Sequence, residues 1–298
     1  MTKPNAVDIL GVSIDAITIE ESHQLVGTWI KDAGSAQTET KYMVKPYVEF
    51  LARAQRDRHI KSILNEANAC VADGVSLQWA ASYLYGKPHS KPTYGVLLRS
   101  LIVWLQRPTW RNQILPEKFA GIDHTRSLLD EASKQGWRVG VLGGSAKPNQ
   151  TKQELSRRWP QLNLIDVWSG FTHTTRQSDF DSWEKDGDFV RIHEAMQAAR
   201  LDLLLVGMGF PRQELFMHFF RKHKLTKVMV GEGGSFDYAE LGGTQKRAPK
   251  VLRKLGLEWL WRLLQQPSRI RRQLVIPRYI LAVHTQAKKN WKNHSPKQ

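Results

Sequence analysis

Residues 201–211, LDLLLVGMGFP, decide the fold class of this 298-residue chain. An apolar run that ends in a glycine-rich turn is typical of a strand buried on both faces, because such a strand has no polar side. Similar runs occur at 69–74 (ACVADG), 137–144 (WRVGVLGG) and 227–234 (KVMVGEGG). Amphipathic segments at 124–135, 148–159, 186–199 and 212–223 separate or follow these runs. The alternation predicts a Rossmann-like α/β core, a parallel sheet with helices on both faces.

The N-terminal third predicts further elements of the same core. Two short strands are expected within 7–18, and Thr18 with Glu21 forms a capping signal for the helix that follows. A strand at 42–44 precedes a mostly helical stretch at 46–68, and 76–85 is also helical. The apolar block 96–105, interrupted by Arg99, is ambiguous. It fits an additional contact surface, and it also fits a buried helix.

Composition excludes several protein classes. Apolar residues make up 41% and charged residues 24% of the chain, as in a globular protein. Cys70 is the single cysteine, which excludes a disulfide framework and a multi-cysteine metal site. No His spacing typical of a metal site occurs, so we expect no metal and no cofactor. We also expect no signal peptide and no transmembrane helix, and therefore a cytoplasmic protein.

The positive charge is concentrated at the C-terminus. The net charge is +16, and residues 245–298 hold 14 Lys and Arg but one acid, Glu258. We therefore divide the chain into a Rossmann-like core at 1–244 and a basic amphipathic helical appendage at 245–298. A helix is expected at 250–266, a second begins after Pro267, and 288–298 is expected to fray. An anionic partner is indicated, and the interleaved apolar residues fit a bilayer surface better than nucleic acid.

Four loops at predicted strand ends suit a phosphate-bearing ligand. Ligands of open parallel sheets bind at the carboxyl ends of the strands, where glycines let backbone N–H groups approach a phosphate. The candidate nucleotide-binding residues in three of these loops are Gly143, Gly144, Gly207, Gly209, Arg212, Gln213, Gly233 and Gly234. Arg212 stands where a dinucleotide fingerprint has its third glycine, which counts against that motif.

Each polar candidate at these loops has a structural alternative. Asp73 is either the N-cap of the helix at 76–85 or a general base, and Asp123 has the same two interpretations, with capping favoured. Gln213 fits a hydrogen bond to the edge of a uracil ring. The arginines 262, 269 and 272 form either a solvated basic face or a phosphate clamp.

Three motifs resemble the WecG/TagA/CpsF family of bacterial glycosyltransferases (glycosyltransferase family 26). They are LLLVGMGFPRQE at 203–214, VGEGGSFDYAE at 230–240 and KRAPKVLRKLGLEWLWRLLQQPSRIRR at 246–272, and the resemblance extends from about Ile9 to Arg278. It implies a Rossmann-like core with a C-terminal appendage, the GT-E type. It also implies an inverting, metal-independent transfer from a UDP-sugar to a polyprenyl-diphosphate-linked saccharide, in polysaccharide synthesis at the inner face of the cytoplasmic membrane.

The resemblance assigns roles to individual residues. Asp73 matches the proposed general base of the family's ADG motif, and Gln213 matches a nucleotide-binding position. Arg262, Arg269 and Arg272 match arginines proposed to engage the donor diphosphate. Gly170 and Phe171 lie near an aromatic position beside the nucleotide.

The chain also departs from the family. Lys45 and Tyr47 replace the polar residues of a Thr-Pro-Asn motif, and we take them with Asp123 as candidate acceptor contacts. Residues 88–116 read as an insertion relative to the family, and the apolar block 96–105 within it fits either extra membrane or acceptor contact or a buried helix. The expected partners are the donor, the lipid-linked acceptor, an anionic membrane surface and a further copy of the chain, and nucleic acid is not expected. The alternatives are a nucleic-acid-binding protein that uses the basic tail and another Rossmann-type nucleotide-dependent transferase.

Overall fold

The fold is taken from a computed structural model. It describes residues 5–33, 39–86, 91–106, 114–145, 147–171, 183, 186–249, 252, 258–265, 267, 270 and 274–294. The strands are β1 (Ala6–Ile9), β2 (Val12–Asp15), β3 (Lys41–Val44), β4 (Ala69–Cys70), β5 (Val139–Gly143), β6 (Leu164–Trp168), β7 (Leu201–Gly207) and β8 (Thr226–Gly231). The helices in the core are α1 (Ile19–Asp32), α2 (Val48–Ala54), α3 (Arg58–Glu66), α4 (Val75–Tyr85), α5 (Tyr94–Gln106), α6 (Gly121–Gln135), α7 (Pro148–Arg158), α8 (Gly187–Ala198) and α9 (Arg212–Phe220). Two more helices, α10 (Glu258–Gln265) and α11 (Ile276–His294), lie in the basic C-terminal part.

Six strands form one parallel sheet in the order β4-β3-β8-β7-β5-β6, while β1 and β2 form a separate antiparallel hairpin. The register aligns the carboxyl ends of the strands, since Val44 pairs with Cys70 and Gly143 with Gly207. The loops at these ends therefore lie along one edge. The predicted Rossmann-like parallel sheet is confirmed.

The sheet separates two layers of apolar packing. One face carries α1, α6 and α7, through side chains such as Val26, Leu128 and Leu155. The other carries α2, α3, α4, α8 and α9, with Phe50 and Phe216 in its core. Helices cover both faces, and this explains why β7 is apolar along most of its length. The start of α1 is set locally, because Thr18 and Glu21 form the predicted capping box.

The last helix, α11, packs on the core rather than standing apart. Tyr279, Val283 and Ala287 are buried, and the Tyr279 hydroxyl donates to the carbonyl oxygen of Ser76 in α4 over 3.4 Å. Gln286 accepts a 2.8 Å hydrogen bond from the backbone N–H of Leu10. The helix continues to His294, so the expected fraying of 288–294 is wrong, and 295–298 lie outside the described residues.

The ambiguous block at 96–105 lies on α5, which has apolar side chains on both its buried and its exposed face. Leu97 and Ser100 are buried, and the Trp79 indole N–H of α4 donates to the Ser100 hydroxyl over 3.2 Å. The opposite face exposes Tyr94, Leu98 and Ile102. The buried-helix interpretation is therefore correct for one face only. Of the helix expected at 250–266, the described part is Leu252 and α10. Among the described residues, no helix is both long and apolar enough to cross a bilayer.

Candidate active site

Asp73 lies in the loop between β4 and α4, at the carboxyl edge of the sheet. The N-cap of α4 is Gly74, with φ at +97°, so the interpretation of Asp73 as that N-cap is wrong. The backbone N–H of Asp73 donates to the carbonyl oxygen of Pro46 over 2.9 Å, which ties this loop to the one that follows β3. Asp73 is half-buried. A partly exposed carboxylate on a tethered loop is suited to accept a proton from a bound hydroxyl.

The loop glycines have two different structural roles. The N–H of Gly144 donates to the carbonyl oxygen of Gly207 over 2.9 Å, and a Cβ on Gly207 would lie 2.8 Å from the Phe236 ring. Gly143 and Gly170 are similarly crowded, so these glycines allow neighbouring loops to pack closely. Gly209 and Gly233 instead have φ of +71° and +54°, and no atom lies within 4 Å of the position that a Cβ would occupy. Their backbone faces open space, where a phosphate could approach.

Gln213 is buried and links the loops that follow β7 and β8. Its side-chain oxygen accepts from the Gly233 N–H over 2.8 Å, and its amide donates to Glu214 over 2.6 Å. Burial raises the pKa of the Glu214 carboxyl to about 8, so this group is mostly protonated at neutral pH. Gln213 therefore holds the open Gly233 loop in place, while its predicted nucleotide contact stays a prediction.

A buried charged cluster that the sequence did not indicate lies beneath the same edge. The Lys45 ammonium lies 2.5 Å from a carboxylate oxygen of Glu232, which also accepts a hydrogen bond from the Thr125 hydroxyl. His124 lies 3.2 Å from the Lys45 ammonium and 3.2 Å from the Ser22 hydroxyl. The cluster joins the ends of β3 and β8 to α1 and α6. Lys45 is thus a buried partner of Glu232, and its predicted acceptor contact stays a prediction.

The protonation states in this cluster follow from burial and from the charge of Lys45. Burial, reinforced by the Lys45 charge, lowers the pKa of His124 to about 4, so the ring is neutral at pH 7. Burial alone would raise the pKa of Glu232, but the Lys45 charge and hydrogen bonding outweigh it and hold the pKa below its ordinary value. Glu232 and Lys45 therefore form a buried ion pair. The sequence signal for this pair is Glu232 itself, a charged residue directly after an apolar strand in the motif GEGG at 231–234.

Aromatic side chains connect neighbouring parts of the edge. Phe50 stacks on Phe210 with ring centroids 4.0 Å apart and contacts Tyr47 edge-on at 4.8 Å. Tyr47 is half-buried, and its hydroxyl donates to Glu49 over 2.8 Å. Phe171 is buried and stacks on a phenylalanine of α8 at 3.8 Å. The ring of Phe171 is therefore part of the core, whereas Tyr47 lies nearer the solvent.

Asp123 connects the core to the basic segment. The N-cap of α6 is Ala120 and Asp123 lies in the first turn, so its interpretation as an N-cap is wrong. Its exposed carboxylate pairs with the guanidinium of Arg247. Next to Arg247, the Lys246 carbonyl oxygen accepts from the Trp261 indole N–H over 3.1 Å. The helix α10 is thereby tied to the carboxyl edge of the sheet.

The predicted phosphate clamp lies mostly outside the described residues. Arg262 belongs to α10, and its side chain is outside the described part of the structure, as are the residues Arg269 and Arg272. Across the described residues, no group of three or more His, Cys, Asp or Glu side chains is arranged to hold a metal ion.

Comparison with known proteins gives one family. The model of the glycosyl transferase WecG/TagA/CpsF family matches residues 7–111 and 100–293. The two matches together extend over the sheet, the loops at its carboxyl edge and the C-terminal helices.

Proposed function

Because the chain belongs to the WecG/TagA/CpsF family and is a glycosyltransferase, we propose that it transfers a sugar from a UDP-sugar to a polyprenyl-diphosphate-linked saccharide. The family in general implies a sugar-nucleotide donor and a lipid-linked acceptor. The finer proposal is that the transfer inverts the anomeric centre, needs no metal and serves polysaccharide synthesis. The observation that carries it is the position of Asp73, half-buried at the same carboxyl edge of the sheet as the open glycine loops.

We assign Asp73 the role of general base. The acceptor hydroxyl oxygen attacks the anomeric carbon from the side opposite the diphosphate, and its proton passes to the Asp73 carboxylate. The bond between the anomeric carbon and the diphosphate oxygen breaks, and UDP leaves with the electron pair. Attack from the opposite side inverts the configuration.

The donor is assigned to the loops after β7 and β8. The open backbone at Gly209 precedes the N-terminus of α9, where Arg212 is the first helical residue, and Gly233 lies in the neighbouring loop. Backbone N–H groups at a helix N-terminus favour a diphosphate; the Gly233 N–H already donates to Gln213, so Gly233 contributes open space for the ligand. Arg262, Arg269 and Arg272 complete this proposal, since positive charge near the leaving diphosphate stabilises the transition state. The tether of α10 to Lys246 supports this assignment.

The acceptor is assigned to the side of the edge that carries Tyr47 and Asp123. Both are at least partly exposed, and Asp123 holds the basic segment through Arg247. Since the acceptor lipid resides in a bilayer, we place the enzyme peripherally at the inner face of the bacterial cytoplasmic membrane. Self-association on that surface is part of the same proposal.

The test compares two aspartate variants in transfer from a panel of UDP-sugars to a synthetic prenyl-diphosphate sugar. Loss of a general base lowers the rate by about 10²–10⁴, so Asp73→Asn should lose turnover by this factor while UDP binding persists in calorimetry. Asp32→Asn is the matched control, because Asp32 is exposed at the end of α1, far from the carboxyl edge. Near wild-type turnover of Asp73→Asn would refute the base assignment.

A further inference from the structure

Exposed large apolar side chains are confined to two parts of the described structure. Those on α5 are Tyr94, Leu98 and Ile102, and the others all lie between residues 260 and 281. The three on α5 are four residues apart and form one stripe along the helix, with Tyr94 67% and Leu98 61% exposed. Exposed apolar side chains that form one contiguous stripe mark an interaction site.

The α5 stripe lies beside α11. The Tyr94 ring lies 5.0 Å from the His284 ring, and the Lys288 ammonium lies 4.7 Å from the centroid of Tyr94. Leu281, which is 52% exposed, lies one turn before His284 on the same face of α11. Lys91, just before α5, lies 5.7 Å from the ring of Trp291. The two helices therefore present one surface, which we name the α5–α11 face.

The positive charge of this face favours an anionic partner over a second copy of the chain. Residues 91–106 and 276–294 contain Lys91, Arg99, Arg278, Lys288, Lys289 and Lys292 and no Asp or Glu. A twofold contact between two copies would place these cations against one another, since a symmetric interface pairs a patch with itself. An anionic bilayer instead offers negative headgroups to the bases and acyl chains to the apolar stripe. Tyr94 and Trp291 are residue types that favour the level of the headgroups.

We infer that the α5–α11 face is a docking surface for anionic phospholipid, with the stripe on α5 entering the outer part of the leaflet. The inference rests on the proposed membrane-bound acceptor and names the element that makes the apolar contact. The α5 helix lies within residues 88–116, which read as an insertion, so the apolar part of this contact lies outside the basic appendage at 245–298, whose helix α11 supplies four of the six cations.

The test measures cosedimentation of the full-length chain with vesicles of phosphatidylglycerol and phosphatidylcholine, against vesicles of phosphatidylcholine alone. Leu98→Ser/Ile102→Ser should weaken binding to the anionic vesicles at least about tenfold, because two large aliphatic contacts are lost. Both side chains are exposed, so the melting temperature should stay unchanged.

Lys289→Gln/Lys292→Gln should weaken binding to the anionic vesicles about fivefold for each charge removed. Its matched control is Lys134→Gln/Lys222→Gln, at the opposite edge of the sheet, which should bind as wild type.

Three outcomes would overturn the inference: wild type that does not sediment with anionic vesicles, an α5 double variant that binds as wild type, or a control that loses binding equally. A double variant that binds vesicles normally but changes from dimer to monomer would assign the stripe to self-association. Transfer to a short-chain, water-soluble acceptor without vesicles separates this inference from the proposed function. If the α5 variant transfers sugar in that assay at the rate of the wild-type enzyme, its weaker vesicle binding is a loss of docking and both the inference and the proposed function are supported. If the wild-type enzyme is inactive in that assay, only the proposed function is refuted.

Discussion

Replacing Lys45 with methionine should destabilise the protein strongly, because it leaves the buried Glu232 carboxylate without its cation. The Glu232 side chain is fully buried, and one of its two oxygens has no hydrogen-bond partner. The other oxygen receives the Lys45 ammonium and the Thr125 hydroxyl. Lys45→Met removes the cation and leaves the Thr125 hydroxyl and the neutral His124 ring, 3.8 Å from the other oxygen, to stabilise a buried negative charge.

The expected magnitude follows from the asymmetry of buried ion pairs. Removing one partner typically costs about 3–5 kcal/mol, whereas replacing both with apolar residues of similar volume is often neutral or stabilising. Lys45→Met should therefore lose about 3–5 kcal/mol of unfolding free energy, and Lys45→Met/Glu232→Leu should recover most of that loss. Urea unfolding at pH 7, followed by tryptophan fluorescence, measures all three proteins together with Glu232→Leu.

The pH dependence supplies a second readout. The pKa of Glu232 is held below its ordinary value in the folded protein. The ion pair therefore stabilises the fold fully above the unfolded pKa, about 4.5, and this contribution is lost as the pH falls through the folded pKa. In Lys45→Met the remaining burial should raise this pKa, and the carboxyl then becomes costly as the pH rises. The gap between wild type and Lys45→Met should therefore narrow on acidification. The reasoning would be refuted if Lys45→Met lost less than about 1 kcal/mol of unfolding free energy. It would also be refuted if the loss in the double variant equalled the sum of the losses in Lys45→Met and Glu232→Leu.

Three further predictions concern neighbouring residues. Burial raises the folded pKa of Glu214 to about 8, so its stabilising contribution is complete below the unfolded pKa and is lost as the pH rises through 8. In urea unfolding at pH 9, Glu214→Gln should therefore be more stable than wild type by at least about 1 kcal/mol. Equal stability of the two proteins at pH 9 would contradict this prediction. Gln213→Ala removes the acceptor of the Gly233 N–H, so the KM for the UDP-sugar should rise more than kcat falls, in steady-state assays. Gly207→Ala places a methyl 2.8 Å from Phe236 and should cost about 1–3 kcal/mol, whereas Gly187→Ala has open space and should not destabilise, as thermal melts of the pair would show.

Features governed by neighbours in the chain were predictable. The capping box of Thr18 and Glu21 depends on residues three apart, and the structure confirms it. The strand at 201–207 was predictable because an apolar run before a glycine turn is a local pattern. Parallel pairing then follows from the alternation of strands and helices, and it places Asp73 and the glycine loops at one edge.

Features governed by distant contacts were missed. Both Asp73 and Asp123 suit an N-cap, yet α4 is capped by Gly74 and α6 by Ala120. Residues 288–294 are polar and were expected to fray, but α11 is anchored by buried residues earlier in the same helix. The apolar block on α5 gave no period that could be read, because its two faces are both apolar and differ only in what covers them.

The sequence alone determined the parallel α/β core, the edge that holds Asp73 and the glycine loops, and membership of a glycosyltransferase family. These depend on local periodicity and on motifs that stay recognisable without coordinates. Only the tertiary structure decided that Lys45 and Glu232, 187 residues apart, form one buried pair. It also decided that α5 and α11 share an exposed face, because pairing across the fold depends on which surfaces the sheet and its helices bring together.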